Sequence, residues 1–193
     1  VESIYRHTGC FPRSLADHIH FGVPLWTKYI ESMGIVEGTR ENCRTLMESG
    51  QSVLVFPGGA REVFKLKGES YKLVWKQRVG FAKMAIEHGY DIVPFASVGP
   101  DNSLSVVMDA NDIADRLGQR FKNSNLYQKT LRQGEMIPPL TRGVGLTMLP
   151  RPERFYFSYG KPISTGPLQG QSDDKDTLFA LREQVADAIN TNR

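Results

Sequence analysis

The segment Phe56-Pro57-Gly58-Gly59-Ala60-Arg61-Glu62 holds the residue types needed to grip an oxyanion. Paired glycines let backbone N–H groups come close to a bound oxygen, and the arginine beyond them offers a planar, permanently charged fork matched to phosphate or carboxylate. The same residues also suit a tight turn after a strand, with Arg61 in a salt bridge to Glu62 or Glu69. Further along, Arg78-Val79-Gly80-Phe81 sets a second guanidinium beside a glycine near a helix start, where Gly80 would allow close backbone packing. Arg78 is expected to face the same cavity as Arg61. Nucleotide binding through a P-loop fails on spacing, because no Gly-Lys-Ser/Thr stands at the required distance from a preceding glycine, and Gly-x-Gly-x-x-Gly is absent.

The histidines and cysteines are less informative. His18 and His20 alternate as on one face of a strand, where polar residues near a site are a plainer reading than a metal pair. His88 suits a helix C-terminus, facing the negative end of the dipole. Cys43 stands mid-helix beside Arg40 and Arg44, which would lower its thiol pKa, although a lone cysteine in that setting more often packs. No metal site is expected. Arg40 stands in the first turn of the same helix, where an ordinary ion pair is its plain role.

These residues need elements to position them. Thr39 as an N-cap and Gly50 as a stop predict a helix over 40–49, followed by a strand over 52–56 buried on both faces. A second such pair runs from a helix at about 77–88, closed by Gly89, into a strand over 91–97 that ends near Pro94. Segments 111–121 and 126–132 suggest short helices, 136–152 a loop rich in Pro and Gly, and 154–159 a strand. Leu178, Leu181, Val185 and Ile189 form the stripe of a C-terminal helix packed on the core. Leu25, Trp26, Tyr29 and Met33, and the loop from Ile137-Pro138-Pro139-Leu140 to Leu149, are where contact with a membrane interface would fall, with core stripes preferred on spacing alone. The expected fold is α/β, a single domain with a mixed, mainly parallel β-sheet flanked by helices.

Composition agrees with a globular chain: 193 residues, 40% hydrophobic and 23% charged, exclude disordered, collagen-like and disulfide-scaffold classes. A net charge of +3, evenly scattered, is no nucleic-acid footprint, although it tolerates an anionic membrane surface or a phosphate-bearing ligand. Two cysteines point to a reducing compartment, and the sequence holds no apolar run long enough to cross a bilayer.

Taken in order, four blocks resemble the phospholipid and glycerol acyltransferase superfamily, and within it the branch of type-2 diacylglycerol acyltransferases and their transmembrane-anchored relatives. They are Phe56 to Glu62, Arg78 to Ala85, Val93-Pro94, and Gly160-Lys161-Pro162-Ile163; Ala16 to Pro24 and Gly34 to Arg40 resemble earlier family blocks. The resemblance implies a glycerol-phosphate acyltransferase-like fold and acyl transfer from acyl-CoA, a co-substrate rather than a cofactor, to a glycerolipid hydroxyl. It also implies a protein at the cytoplasmic face of a membrane, peripheral or anchored, whose partners are acyl-CoA, a glycerolipid acceptor and the membrane surface, with no nucleic acid. Gly58, Gly59, Arg61, Glu62, Arg40 and Arg78 are the substrate-binding residues it implies. Glu62, where lysophosphatidic acid enzymes carry Thr, shifts the acceptor toward a neutral glycerolipid. The family's catalytic His-x-x-x-x-Asp or His-Pro-His-Gly does not occur at His7, His18, His20 or His88, so the catalytic residues are expected upstream of Val1 and the domain, 1–193, is expected to lack that N-terminal segment. The competing reading is a non-catalytic lipid-binding or scaffolding module with an acyltransferase-like fold.

Overall fold

A computed structural model describes residues 4–6, 9–63, 65–130 and 139–192. In chain order its elements begin with β1 (Arg13–Ala16), a 3-10 turn (His18–Phe21), α1 (Pro24–Ser32), β2 (Ile35–Glu37), α2 (Arg40–Glu48), β3 (Val53–Leu54), α3 (Ala60–Val63) and α4 (Gly80–His88). They continue with β4 (Phe95–Val98), α5 (Pro100–Ser103), β5 (Ser105–Met108), α6 (Ala110–Lys122), a π-helical turn (Leu126–Thr130), β6 (Leu140–Arg142), β7 (Tyr156–Tyr159), a 3-10 turn (Gly166–Leu168) and α7 (Lys175–Thr191). The chain divides into two compact units. The first comprises Val1–Gly59, Gln77–Ile92 and Pro162–Val185, and the second Ala60–Lys76, Val93–Lys161 and Ala186–Arg193.

In the first unit β1 is the central strand of a parallel sheet in the order β2-β1-β3, with α1 and α2 on the connections that parallel pairing requires. Thr39 caps α2 as its position predicts: its Oγ1 accepts from the Asn42 N–H at 3.1 Å, and Gly50 follows with φ +73°. Cys43 and Met47 are the buried side of that helix. The strand expected over 52–56 contracts to Val53–Leu54, half-buried rather than covered on both faces, because β3 is an edge strand and Phe56 has already entered the turn. α4 starts at Gly80, later than expected, and ends as expected on Gly89, which takes the left-handed conformation at φ +67°. On α7, Leu178, Leu181 and Val185 are buried, the stripe its spacing predicts, with Ile189 continuing it in the second unit.

The second unit departs from the parallel expectation. Its strands form two antiparallel pairs, β4 with β7 and β5 with β6. Among the described residues parallel order is confined to β1–β3, where helical crossovers exist; here strands pair after the chain reverses, and antiparallel order results. The strand predicted over 91–97 is split across Pro94, which has no N–H to give: Ile92 makes an isolated bridge to Ile163, and β4 begins at Phe95. Asp109 caps α6 through a reciprocal capping box with Asp112, and Gly118, at φ +77°, kinks that helix. The loop expected over 136–152 holds β6, a strand the sequence did not signal, while 131–138 lie outside the described residues. Gly143 makes its return possible, since a Cβ there would lie 1.7 Å from the Leu149 carbonyl oxygen.

Candidate functional site

In the first unit the turn after β3 is shaped by its glycines and by Arg78. The Gly59 N–H donates to the Phe56 carbonyl at 2.9 Å, closing the turn, and Gly59 sits at φ +54°. Arg78 donates through Nη1 to the Pro57 carbonyl at 3.2 Å and to the Gly58 carbonyl. A Cβ on Gly59 would lie 3.2 Å from that nitrogen, so side-chain absence and backbone conformation are both used here. The Gly59 N–H thus serves the turn, and Arg78 is a latch on the turn's carbonyls. Gly80 also differs from expectation: a Cβ there would meet nothing within 4 Å, so it supports no close packing. Arg40 stands exposed at the first position of α2.

In the second unit Arg61 and Glu62 lie on α3, and each is engaged by a residue of the stretch from Leu66 to Trp75. Arg61 is 9% exposed, and its Nη2 donates to both oxygens of Glu69, at 2.6 and 2.7 Å. The Leu66 N–H donates to Glu69 Oε2 at 2.7 Å. Burial pushes the Glu69 carboxyl up, but the Arg61 guanidinium and the Leu66 N–H outweigh it and hold the group below its ordinary value. The indole N–H of Trp75, a residue 3% exposed, donates to Glu62 Oε2 at 3.2 Å. Of the two open partners for Arg61, Glu69 is the one observed; Trp75 is the participant that sequence reasoning missed, and its signal was a tryptophan ending the short apolar run Leu73-Val74-Trp75.

The segment between these partners is tied down by acids at two helix starts. Asp101 on α5 accepts from Lys65 Nζ at 2.7 Å and from the Tyr71 N–H at 2.6 Å, while the Tyr71 hydroxyl donates to Asn102. Tyr71 is left-handed at φ +62°, a conformation a tyrosine holds only under such constraint. Asp109 accepts from the Lys67 N–H at 2.9 Å, and Asp112 from Lys67 Nζ at 2.7 Å.

The histidines and cysteines have plainer surroundings. His18 and His20 lie in a 3-10 turn rather than a strand, and His18 Nδ1 is 3.0 Å from Asp17 Oδ1 on an exposed surface. His88 ends α4, as expected, and its Nε2 is buried. His7 lies outside the described residues. Cys43 is buried with Sγ 3.8 Å from Met47 Sδ; burial raises its thiol pKa, which corrects the lowering expected from Arg40 and Arg44. Among the described residues no His, Cys, Asp and Glu group could hold a metal. Leu25, Trp26, Tyr29 and Met33 are exposed rather than packed, with the Trp26 and Tyr29 rings 5.6 Å apart, because α1 buries Ile30 instead. Leu140, Leu146, Met148 and Leu149 are likewise exposed, and Ile137 and Pro138 lie outside the described residues. No described helix is long and apolar enough to cross a membrane.

A family model described as diacylglycerol acyltransferase matches residues 11–168, a span that includes both arrangements above. The chain is 35% identical over 145 residues to phytyl ester synthase 1, chloroplastic, of Arabidopsis thaliana, covering 71% of this chain and 20% of that protein. It is 32% identical over 180 residues to phytyl ester synthase 2, chloroplastic, of the same plant, covering 86% of this chain and 24% of that protein. With diacylglycerol O-acyltransferase 2A of Umbelopsis ramanniana it shares 28% identity over 179 residues, 86% of this chain and 47% of the relative. The chain thus spans a fifth to a quarter of the length of the two synthases. No solved structure matches it.

Proposed function

The chain belongs to the diacylglycerol acyltransferase family, and from that membership we propose that the protein moves an acyl group from acyl-CoA to a glycerolipid hydroxyl, that of a mono- or diacylglycerol or a lysophospholipid. The observation that carries this reading is the family match over 11–168, within which the motif arginine and glutamate are each fixed by a named partner. The glycerol-phosphate acyltransferase-like fold is part of the same proposal, supported by the parallel sheet whose edge strand leads into the Gly58-Gly59 turn.

In the proposed reaction a base removes the acceptor hydroxyl's proton as the oxygen attacks the thioester carbonyl. The tetrahedral intermediate collapses with loss of the CoA thiolate, which takes up a proton, and the ester is formed. Arg61 is assigned to an anionic part of the donor, and Glu62 to the acceptor, where its negative charge disfavours phosphate-bearing alcohols. Arg78 keeps the Gly58-Gly59 turn in shape, and Arg40 offers a cation at the start of α2. His18, His20 and His88 lack the family's acid spacing and are given no part in the proton transfer.

The protein is further proposed to work at the cytoplasmic face of a membrane. The exposed Leu25, Trp26 and Tyr29 on α1 and Met33 at its C-cap support this, being amphipathic aromatics and aliphatics of the kind that settle at a lipid interface. Free-thiol release from a long-chain acyl-CoA by the full-length protein, with monoacylglycerol, diacylglycerol and lysophospholipid offered separately in mixed micelles, tests the reading. Acceptor-dependent release is expected. Lipid binding with no release under any acceptor would replace the enzyme by a lipid-binding module.

A further inference from the structure

We infer that Glu69 and Trp75 are positioning residues for the acyl transfer, Glu69 setting the guanidinium of Arg61 and Trp75 setting the carboxylate of Glu62. The inference rests on the roles proposed above for Arg61 and Glu62, and it adds the groups that give those two side chains one orientation each. The geometry separates the two functions. Glu69 meets Arg61 through both carboxylate oxygens on a single nitrogen, Nη2, and is itself held by the Leu66 N–H. A guanidinium gripped at one nitrogen, on a side chain 9% exposed, cannot sample the rotamers that a long flexible arginine otherwise would. Its orientation is thereby fixed before any anion arrives, which removes an ordering cost from binding.

Trp75 does the same for Glu62. The indole is buried, so its ring cannot follow the glutamate if the carboxylate swings away, and its N–H, pointing at Oε2 from 3.2 Å, would lose that partner. Breaking this hydrogen bond costs free energy, and that cost favours the observed placement of the Glu62 carboxylate.

The frame that holds both partners is unusual for a loop. Lys65, Lys67 and Tyr71 are tied to Asp101, Asp109 and Asp112, acids that sit on α5 and at the start of α6. Asp109 uses one oxygen to cap α6 and the other to accept from the Lys67 N–H, so the loop and the helix share a fastening. Tyr71 accepts a left-handed backbone within this frame. A segment anchored so heavily immediately after a short helix is built to hold something still, and Arg61 and Glu62 are the side chains that Glu69 and Trp75 reach from it.

The test uses the full-length protein, a long-chain acyl-CoA as donor, and diacylglycerol or lysophosphatidic acid as acceptor. Glu69→Gln keeps size and loses the charge; Trp75→Phe keeps the buried ring and loses the donor. Glu69→Gln is expected to raise the KM for acyl-CoA about tenfold with the acceptor KM unchanged, and Glu69→Asp to fall between it and the wild type. Trp75→Phe is expected to lower the preference for diacylglycerol over lysophosphatidic acid about fivefold, with the donor KM unchanged. Because each acts through another residue, Glu69→Gln should add nothing in an Arg61→Ala background, and Trp75→Phe nothing in a Glu62→Ala background. Additive effects in those backgrounds, or equal loss of kcat for every substrate, would mark the two as structural and overturn the inference. If Arg61→Ala and Glu62→Ala impair their substrates while Glu69→Gln and Trp75→Phe do not, positioning alone fails. If Arg61→Ala and Glu62→Ala are themselves silent, the site reading falls and the inference with it.

Discussion

At the scale of single residues, the pairing of Arg61 with Glu69 changes what its removal should do. A surface arginine could be cut back without structural consequence, whereas Arg61→Ala here strands a partly buried carboxylate that has lost its main counter-charge. It is expected to destabilise the protein by about 2 kcal/mol as well as to weaken donor binding by about 1.5 to 3 kcal/mol, so melting curves must accompany the kinetics. The acid response comes from the same pair. Glu69 is held below its ordinary value when folded, so its contribution is present above the usual carboxylate range and is lost as pH falls through the depressed folded value. Melting temperature measured from about pH 6 down to about pH 3 should therefore fall more steeply for the wild type than for Glu69→Gln, which has no carboxyl to protonate at that position. Cys43 gives a simpler test: buried, and with its thiol pKa raised, it should react with a disulfide reagent only on unfolding, while exposed Cys10 reacts at once. Two fast thiols in the folded protein would contradict the packing of α2. The place of Arg61 after paired glycines was legible as that of a candidate binding residue, but which acid would hold it was not. Glu62 and Glu69 are both near in sequence, and only the path of the intervening chain decides between them.

Helices with chemical punctuation were legible at the scale of elements, and short strands were not. Thr39 and Gly50 marked α2, and Gly89 marked the end of α4, because capping and left-handed stops depend on the identity of one residue. Thr39→Ala should accordingly cost about 1 kcal/mol in denaturant unfolding without touching activity. β3 and β6, by contrast, depend on which neighbour arrives to pair, and the aliphatic run around Val53 carries no record of whether one side or two will be covered. The apolar face of α1 illustrates the same limit: helical spacing announced a stripe, and spacing alone could not tell core from open surface. Replacing Leu25 with Glu should reduce co-sedimentation with lipid vesicles while leaving the melting temperature within about a degree, since that side chain is 84% exposed. Unaltered vesicle binding would remove α1 from the proposed membrane contact. A glycine gives the strictest test of the second unit: at Gly99, φ is +117° and a Cβ would stand 2.2 Å from the Arg154 carbonyl oxygen, so Gly99→Ala should lower stability by roughly 4 kcal/mol or more.

For the molecule as a whole, family membership was legible from four short blocks in fixed order, although each alone was a turn, a helix start or a strand end of ordinary kind. The fold class could be read with it, and the arrangement of its sheets could not, since parallel order could be argued where helices alternate with strands and had no warrant beyond Val93. In each unit a part of the segment Phe56 to Glu62 is held by residues later in the chain: Arg78 latches the turn in the first, and Glu69 and Trp75 grip Arg61 and Glu62 in the second. The most direct test of the central claim is product analysis: full-length protein, an isotopically labelled long-chain acyl-CoA and diacylglycerol in mixed micelles, with the neutral lipids resolved by mass spectrometry. Labelled triacylglycerol is expected to form in step with free CoA and to be strongly diminished when Arg61 is replaced. Free CoA without a labelled ester, or a labelled ester indifferent to Arg61, would contradict that claim.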